Sequence, residues 1–134
     1  MAQTINSPEI LKAGAYSHAV VSNGLIFLSG QTGNSAGMKS SFNEQFQSTM
    51  EKISNILKLC ESSLDSVVKC NVYLANSSDF QKMNELYGKY FTKNPPARTT
   101  IVTGFPSPDV LVEIDVVAEL SKQKTTASSQ WPFS

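Results

Sequence analysis

Between residues 17 and 119 the apolar residues change period from two to about 3.6 and back again, twice over, and few folds accept that pattern. Ser17 to Gly30 holds two β-prone runs separated by Asn23-Gly24, which predicts a tight hairpin. Ser41 and Glu44 then have capping-box spacing, and Phe46, Met50, Ile53, Leu57 and Cys60 recur at steps of four and three, the stripe of an amphipathic helix of about five turns. Residues 66–75 alternate, with Val68, Cys70, Val72 and Leu74 sharing one side of a half-buried strand. Ser78 and Gln81 repeat the box spacing before a second stripe of Phe80, Met83, Tyr87, Tyr90 and Phe91.

Asn94-Pro95-Pro96 ends that helix, because proline cannot continue it and biases the preceding residue towards extended backbone. Residues 97–103 read as a strand, Gly104 to Asp109 as a turn, and Val110 to Glu119 as the last strand. In that strand Val110, Val112, Ile114, Val116 and Ala118 form one apolar side. Opposite them lie Leu111, Glu113, Asp115, Val117 and Glu119, too mixed for a fully solvated face.

Two strand-helix-strand crossovers in one short chain predict an α+β two-layer sandwich, a mixed sheet with both helices on one face. The other sheet face is then bare, and self-association is its simplest cover. At 134 residues the chain forms one domain, expected over 1–120, followed by a polar, aperiodic tail over 121–134 that is expected to be disordered. Eleven basic and eleven acidic residues cancel, which with the lack of basic clusters argues against nucleic acid as a partner. No apolar run approaches the length needed to span a bilayer, and neither a signal nor a transit pattern is seen, so a cytoplasmic protein is the expectation. Cys60 and Cys70, with His18 as the one histidine, supply too few ligands for a zinc site and read as small buried residues.

Several residues stand out chemically. Arg98 opens a strand just past a stiff segment, where it either caps a surface acid or serves as a pre-aimed bidentate donor to a carboxylate or phosphate. Asn84 falls inside the apolar stripe of the second helix, so the amide either caps a neighbouring backbone or faces a polar pocket. Ser29 and Gly30 end a strand where the backbone can come close to something, or simply end it.

The segments Gly14-Ala15-Tyr16-Ser17, Ser29-Gly30-Gln31, Phe80 to Tyr87, Pro96-Ala97-Arg98-Thr99-Thr100 and Val112-Glu113-Ile114-Asp115, in this order, closely resemble the Rid family, also called YjgF, over about residues 4–120. The resemblance implies a chorismate-mutase-like α+β homotrimer with ligand clefts between subunits. It also implies hydrolysis, without metal or cofactor, of enamines and imines such as 2-aminoacrylate, 2-iminopropanoate and 2-iminobutanoate to 2-keto acids and ammonia. These are products of PLP-dependent dehydratases, which gives a functional link to such enzymes.

Carried over one at a time, Arg98 resembles the arginine that binds the substrate carboxylate, and Glu113 the acid that handles the catalytic water. Tyr16 resembles the cleft's aromatic lid, and Ser29 and Gly30 its wall. Asn84 resembles the helix asparagine near the site, and Thr100 a position whose backbone faces the ligand. The chain departs from the family in Ala15, where proline is usual, in His18, where glutamine or a small residue is common, and in a short 32–40 loop. The alternatives are a non-catalytic regulatory trimer that binds 2-keto acids, or the translation-inhibitor, ribonuclease or chaperone roles described for some relatives.

Overall fold

A computed structural model describes residues 2–33 and 40–121. Most of the expected 32–40 loop and nearly all of the 121–134 tail lie outside the described residues.

The elements are β1 (Gln3–Ile5), β2 (Ala19–Ser22), β3 (Leu25–Leu28), β4 (Gln31–Thr32), α1 (Phe42–Leu59), β5 (Val67–Leu74), α2 (Phe80–Tyr90), β6 (Ala97–Val102) and β7 (Val112–Glu119). They form one mixed sheet in the order β1-β2-β3-β7-β5-β6, with β4 also paired to β7. β7 is antiparallel to both β3 and β5, while β6 runs parallel to β5. The strand-helix-strand reading therefore holds twice: α1 links β4 to β5, both antiparallel to β7, and α2 links β5 to its parallel neighbour β6.

Local chemistry explains most of the elements. Asn23 and Gly24 take positive φ angles of 53° and 78°, as a two-residue hairpin with Ser22 opposite Leu25 requires. The Ser41 hydroxyl accepts from Glu44 N–H and the Glu44 carboxylate from Ser41 N–H, the expected reciprocal cap. α1 buries Phe46, Met50, Ile53, Ile56 and Leu57 completely against the face carrying Ile26, Val112, Ile114 and Ala118. Each such side chain contributes about 1.5 to 3 kcal/mol of burial. Gln45, within this buried stripe, accepts from Leu111 N–H at 2.9 Å and donates to the Asp109 carbonyl at 2.9 Å, tying α1 to the start of β7.

Four expectations fail in detail. The second box does not form: Ser77–Asp79 make a 3-10 turn, and α2 starts at Phe80 behind Asp79 without a side-chain cap. Val68 does not share a side with Cys70, because a bulge between Val67 and Lys69 buries Val67 and exposes Val68. Asn84 is exposed, since α2 is narrower than projection suggests and buries only Met83 and Tyr87 fully. Asn94 is left-handed (φ 45°) rather than extended; the following proline excludes the right-handed helical region, and asparagine tolerates the left-handed one.

The sheet face away from the helices carries Phe27, Val117, Tyr73, Ile101, Glu113 and Asp115, with Phe27 and Ile101 43% and 45% exposed. The alternation of β7 appears as expected, with a buried inner side and a half-buried outer one.

Candidate functional site

β6 is the outermost strand, and Arg98 pairs with buried Cys70, so its side chain rises on the helix side of the sheet. There the guanidinium carbon lies 4.7 Å from the ring centre of Tyr87 and 6.0 Å from that of Phe80, with Nη1 3.8 Å from Met83 Sδ. Aromatic faces attract a cation without using up its in-plane hydrogen bonds. Among the described residues no carboxylate lies within ion-pair distance of Arg98, and apart from the Nη1 contact with Met83 Sδ its donors have no partner there. Beneath it, burial pushes the Cys70 thiol up to about 11 and also raises the neighbouring Tyr87 phenol, keeping both uncharged at neutral pH.

Thr100, two residues on, has a buried hydroxyl with no partner. The Thr103 N–H donates to the Leu74 carbonyl, and alternation along a parallel strand then directs the backbone groups of Arg98, Thr100 and Val102 towards the open edge. Asn84 stands on α2 one turn after Phe80 and is exposed. Arg98 and Thr100, opposite Cys70 and Val72, share the helix-side face of β6.

A second group forms on the other side. The Ser29 hydroxyl donates to the Ser17 carbonyl at 2.7 Å, fastening the end of β3 to the segment that carries Tyr16. Tyr16 is 39% exposed, and its hydroxyl accepts from the Ala13 N–H at 3.0 Å. A Cβ on Gly30 would meet the Glu113 carboxylate, with the carboxyl carbon 2.9 Å away, so glycine here is what admits the acid. Burial first and then the charge of Asp115 raise Glu113 above the usual carboxylate range. Asp115 itself accepts from Asn71 Nδ2 at 2.8 Å and from the Tyr73 hydroxyl at 2.9 Å. A half-buried carboxylate with a raised pKa and no donor among the described residues is suited to exchanging protons.

The two groups do not meet within one chain. Glu113 pairs with Tyr73 and Tyr73 with Ile101, whereas Arg98 lies three residues earlier on β6 and on the opposite face. Strand spacing and rise put roughly 14 Å between their Cα atoms, with the sheet between the side chains. The sequence reading missed the cradle of Phe80, Met83 and Tyr87 under Arg98, whose helical spacing reads equally well as core. It also missed Asn71 and Tyr73 around Asp115, which become visible only when β5 is set beside β7.

Comparison with known proteins agrees with this architecture. The sequence profile described as Endoribonuclease L-PSP matches residues 5–120. The Schizosaccharomyces pombe protein mmf2, mitochondrial, is 37% identical over 119 residues, covering 85% of this chain and 94% of that one. A Lactococcus lactis protein named as the regulator AldR is 37% identical over 87% of this chain and 94% of its own. The Arabidopsis thaliana Reactive Intermediate Deaminase A, chloroplastic, is 34% identical over 80% of this chain and 59% of its own length. Among solved structures, RidA from an Antarctic Psychrobacter superposes with a TM-score of 0.81 at 30% identity, covering 87% of this chain and 98% of that one. Profile, relatives and fold agree with the motif resemblance, and the chain belongs to the Rid family, also called YjgF.

Proposed function

We propose that this protein is a 2-iminobutanoate/2-iminopropanoate deaminase, hydrolysing imines and the enamines that tautomerise to them, 2-aminoacrylate included, without a metal. The observation that carries the reading is Arg98: a strand-edge guanidinium braced by two aromatic rings, with no acid within ion-pair distance among the described residues. Such a group fits a small planar carboxylate.

The substrate carbon is already electrophilic, because the adjacent nitrogen is protonated. Water adds to the carbon while Glu113 accepts one of its protons. The C–N bond then breaks as Glu113 returns that proton to the nitrogen; Glu113 takes the remaining hydroxyl proton as the C=O forms and passes it to the departing ammonia, giving a 2-keto acid and ammonium. Nothing is oxidised or reduced. Arg98 contributes orientation through the carboxylate, and Glu113 contributes proton transfer. The Thr100 backbone, Ser29, Gly30 and Asn84 line the pocket, and Tyr16 closes it.

Since Arg98 and Glu113 lie on opposite faces, the working site pairs the Arg98 corner of one subunit with the Glu113 corner of the next. A homotrimer whose subunits cover each other's open sheet face achieves this, and its clefts lie between subunits. PLP-dependent dehydratases, as the source of such imines, are the functional partners, and a cytoplasmic location belongs to the same proposal. Among the described residues no helix is long and apolar enough to cross a membrane.

A coupled assay tests the reading. A dehydratase generates 2-aminoacrylate, and pyruvate formation is timed with and without this protein, in the presence of a chelator. Faster pyruvate formation is expected. No acceleration, together with saturable binding of a 2-keto acid, would instead favour a regulator, the role in the name of the Lactococcus relative.

A further inference from the structure

The one histidine of the chain is fully buried, and its neighbours dictate its protonation state. The Ser7 backbone N–H donates to His18 Nδ1 at 2.9 Å. That nitrogen must be bare, so the proton of the neutral ring sits on Nε2, which is buried without a hydrogen-bond partner among the described residues. The backbone of His18 fastens the same segment: its N–H donates to Asn6 Oδ1 at 3.2 Å, an oxygen that also accepts from Lys12 Nζ at 3.0 Å.

Besides these bonds, segment 6–13 is held by Ile10, half-buried against the core, and by little else. Between it and α1 lies a cleft of about 880 Å³, with Ile10, Leu11 and Lys12 on one wall and Ser48, Lys52 and Asn55 on the other. Leu11 is 90% exposed. The segment leads directly into Tyr16, whose hydroxyl accepts from Ala13 at its end.

The geometry points to a proton-operated latch: neutral His18 holds segment 6–13 closed, and a proton on Nδ1 releases it together with the Tyr16 turn. A hydrogen on Nδ1 would point straight at the Ser7 N–H, two donors facing each other where water is excluded. Lys12, the charged group facing the ring from the segment, adds like-charge repulsion, while the end of β3 presents only the Ser29 N–H to the His18 carbonyl. Burial first and then Lys12 lower the His18 pKa, so the proton binds the released form more tightly. Closure is complete well above the ordinary value of about 6.5 and is lost as pH falls below it. That Tyr16 covers the reacting imine rests on the function proposed above; the latch itself does not.

Two measurements on the whole protein test it, neither needing a substrate. In the nitrogen NMR spectrum of the single histidine, an unprotonated Nδ1 at pH 7.5 is expected, and a protonated Nδ1 there would overturn the latch. Amide exchange in residues 6–13, corrected for its intrinsic pH dependence, should accelerate about tenfold per pH unit below the onset of release, with the core unchanged. His18→Asn, which keeps an acceptor near the Nδ1 position but cannot take the proton, should give a flat profile. Equal acceleration in both proteins, or none in the wild type, would refute it. Failure here leaves imine hydrolysis standing, and failure of imine hydrolysis leaves these readouts intact.

Discussion

The corner around Arg98 and the corner around Glu113 are built from opposite materials. Arg98 rests on Tyr87, Phe80 and a methionine sulfur, a surround that fixes a cation's position and, among the described residues, engages only Nη1 of its donors. Glu113 lies against bare glycine backbone beside a second carboxylate, a surround that shifts its proton affinity but leaves its oxygens unused. In the proposed mechanism one corner holds charge and the other moves a proton. Each lacks what the other has, and the sheet keeps them apart within a chain.

Substitutions at the two corners should therefore fail differently. The largest effect is expected for Arg98→Ala, a fall in kcat/KM of about two to four orders of magnitude for imine hydrolysis, with circular dichroism and thermal midpoint nearly unchanged. Retention of more than about a tenth of the rate would remove Arg98 from the site. Glu113→Gln should lower kcat by about 10² to 10⁴ with KM little altered. Its stability effect has the opposite sign. Because the folded state raises this pKa, ionised Glu113 opposes folding at neutral pH and does so no longer below its ordinary value near 4.5. The glutamine variant should thus melt higher than wild type at pH 7 to 8, with the gain vanishing towards pH 4, as calorimetry across pH would show. By the same shift, the acid limb of wild-type kcat should fall above the usual glutamate value.

Gly30→Ala is a subtler probe. The new methyl group meets the end of a flexible acid rather than fixed backbone, so the carboxylate moves. A loss in kcat of roughly ten- to a hundredfold, with little change in melting, is expected from a displacement on the order of 1 Å. The smallest effects belong beneath Arg98. Tyr87→Phe keeps the ring, removes a hydroxyl without a full partner, and should leave activity within about twofold, whereas Tyr87→Leu removes the cation–π contact and should raise KM roughly three- to tenfold.

How much of this could be read from the sequence follows from which interactions are local. Asn23-Gly24, the Ser41 and Glu44 pair and the alternation of β7 are visible because their physics spans a few residues. Val68 was misread because a bulge, which depends on the partner strand, flips the phase of alternation. Asn84 was misread because projection marks where a side chain points but not how far a neighbouring layer extends. The residues of the proposed site are legible as types and positions, Arg98 and Glu113 above all. Their placement on opposite faces is not, because it requires the register of β5 against both β6 and β7.

The central claim is that one working site takes Arg98 and Glu113 from different subunits. Arg98→Ala and Glu113→Gln, each nearly inactive alone, can be co-expressed with distinct tags and mixed assemblies isolated. Every mixed trimer, with two subunits of one parent and one of the other, has one junction in three that joins an intact Arg98 to an intact Glu113, so imine hydrolysis should recover to about a third of wild type. Mixed assemblies of verified composition that stay as inactive as the two parents would contradict it.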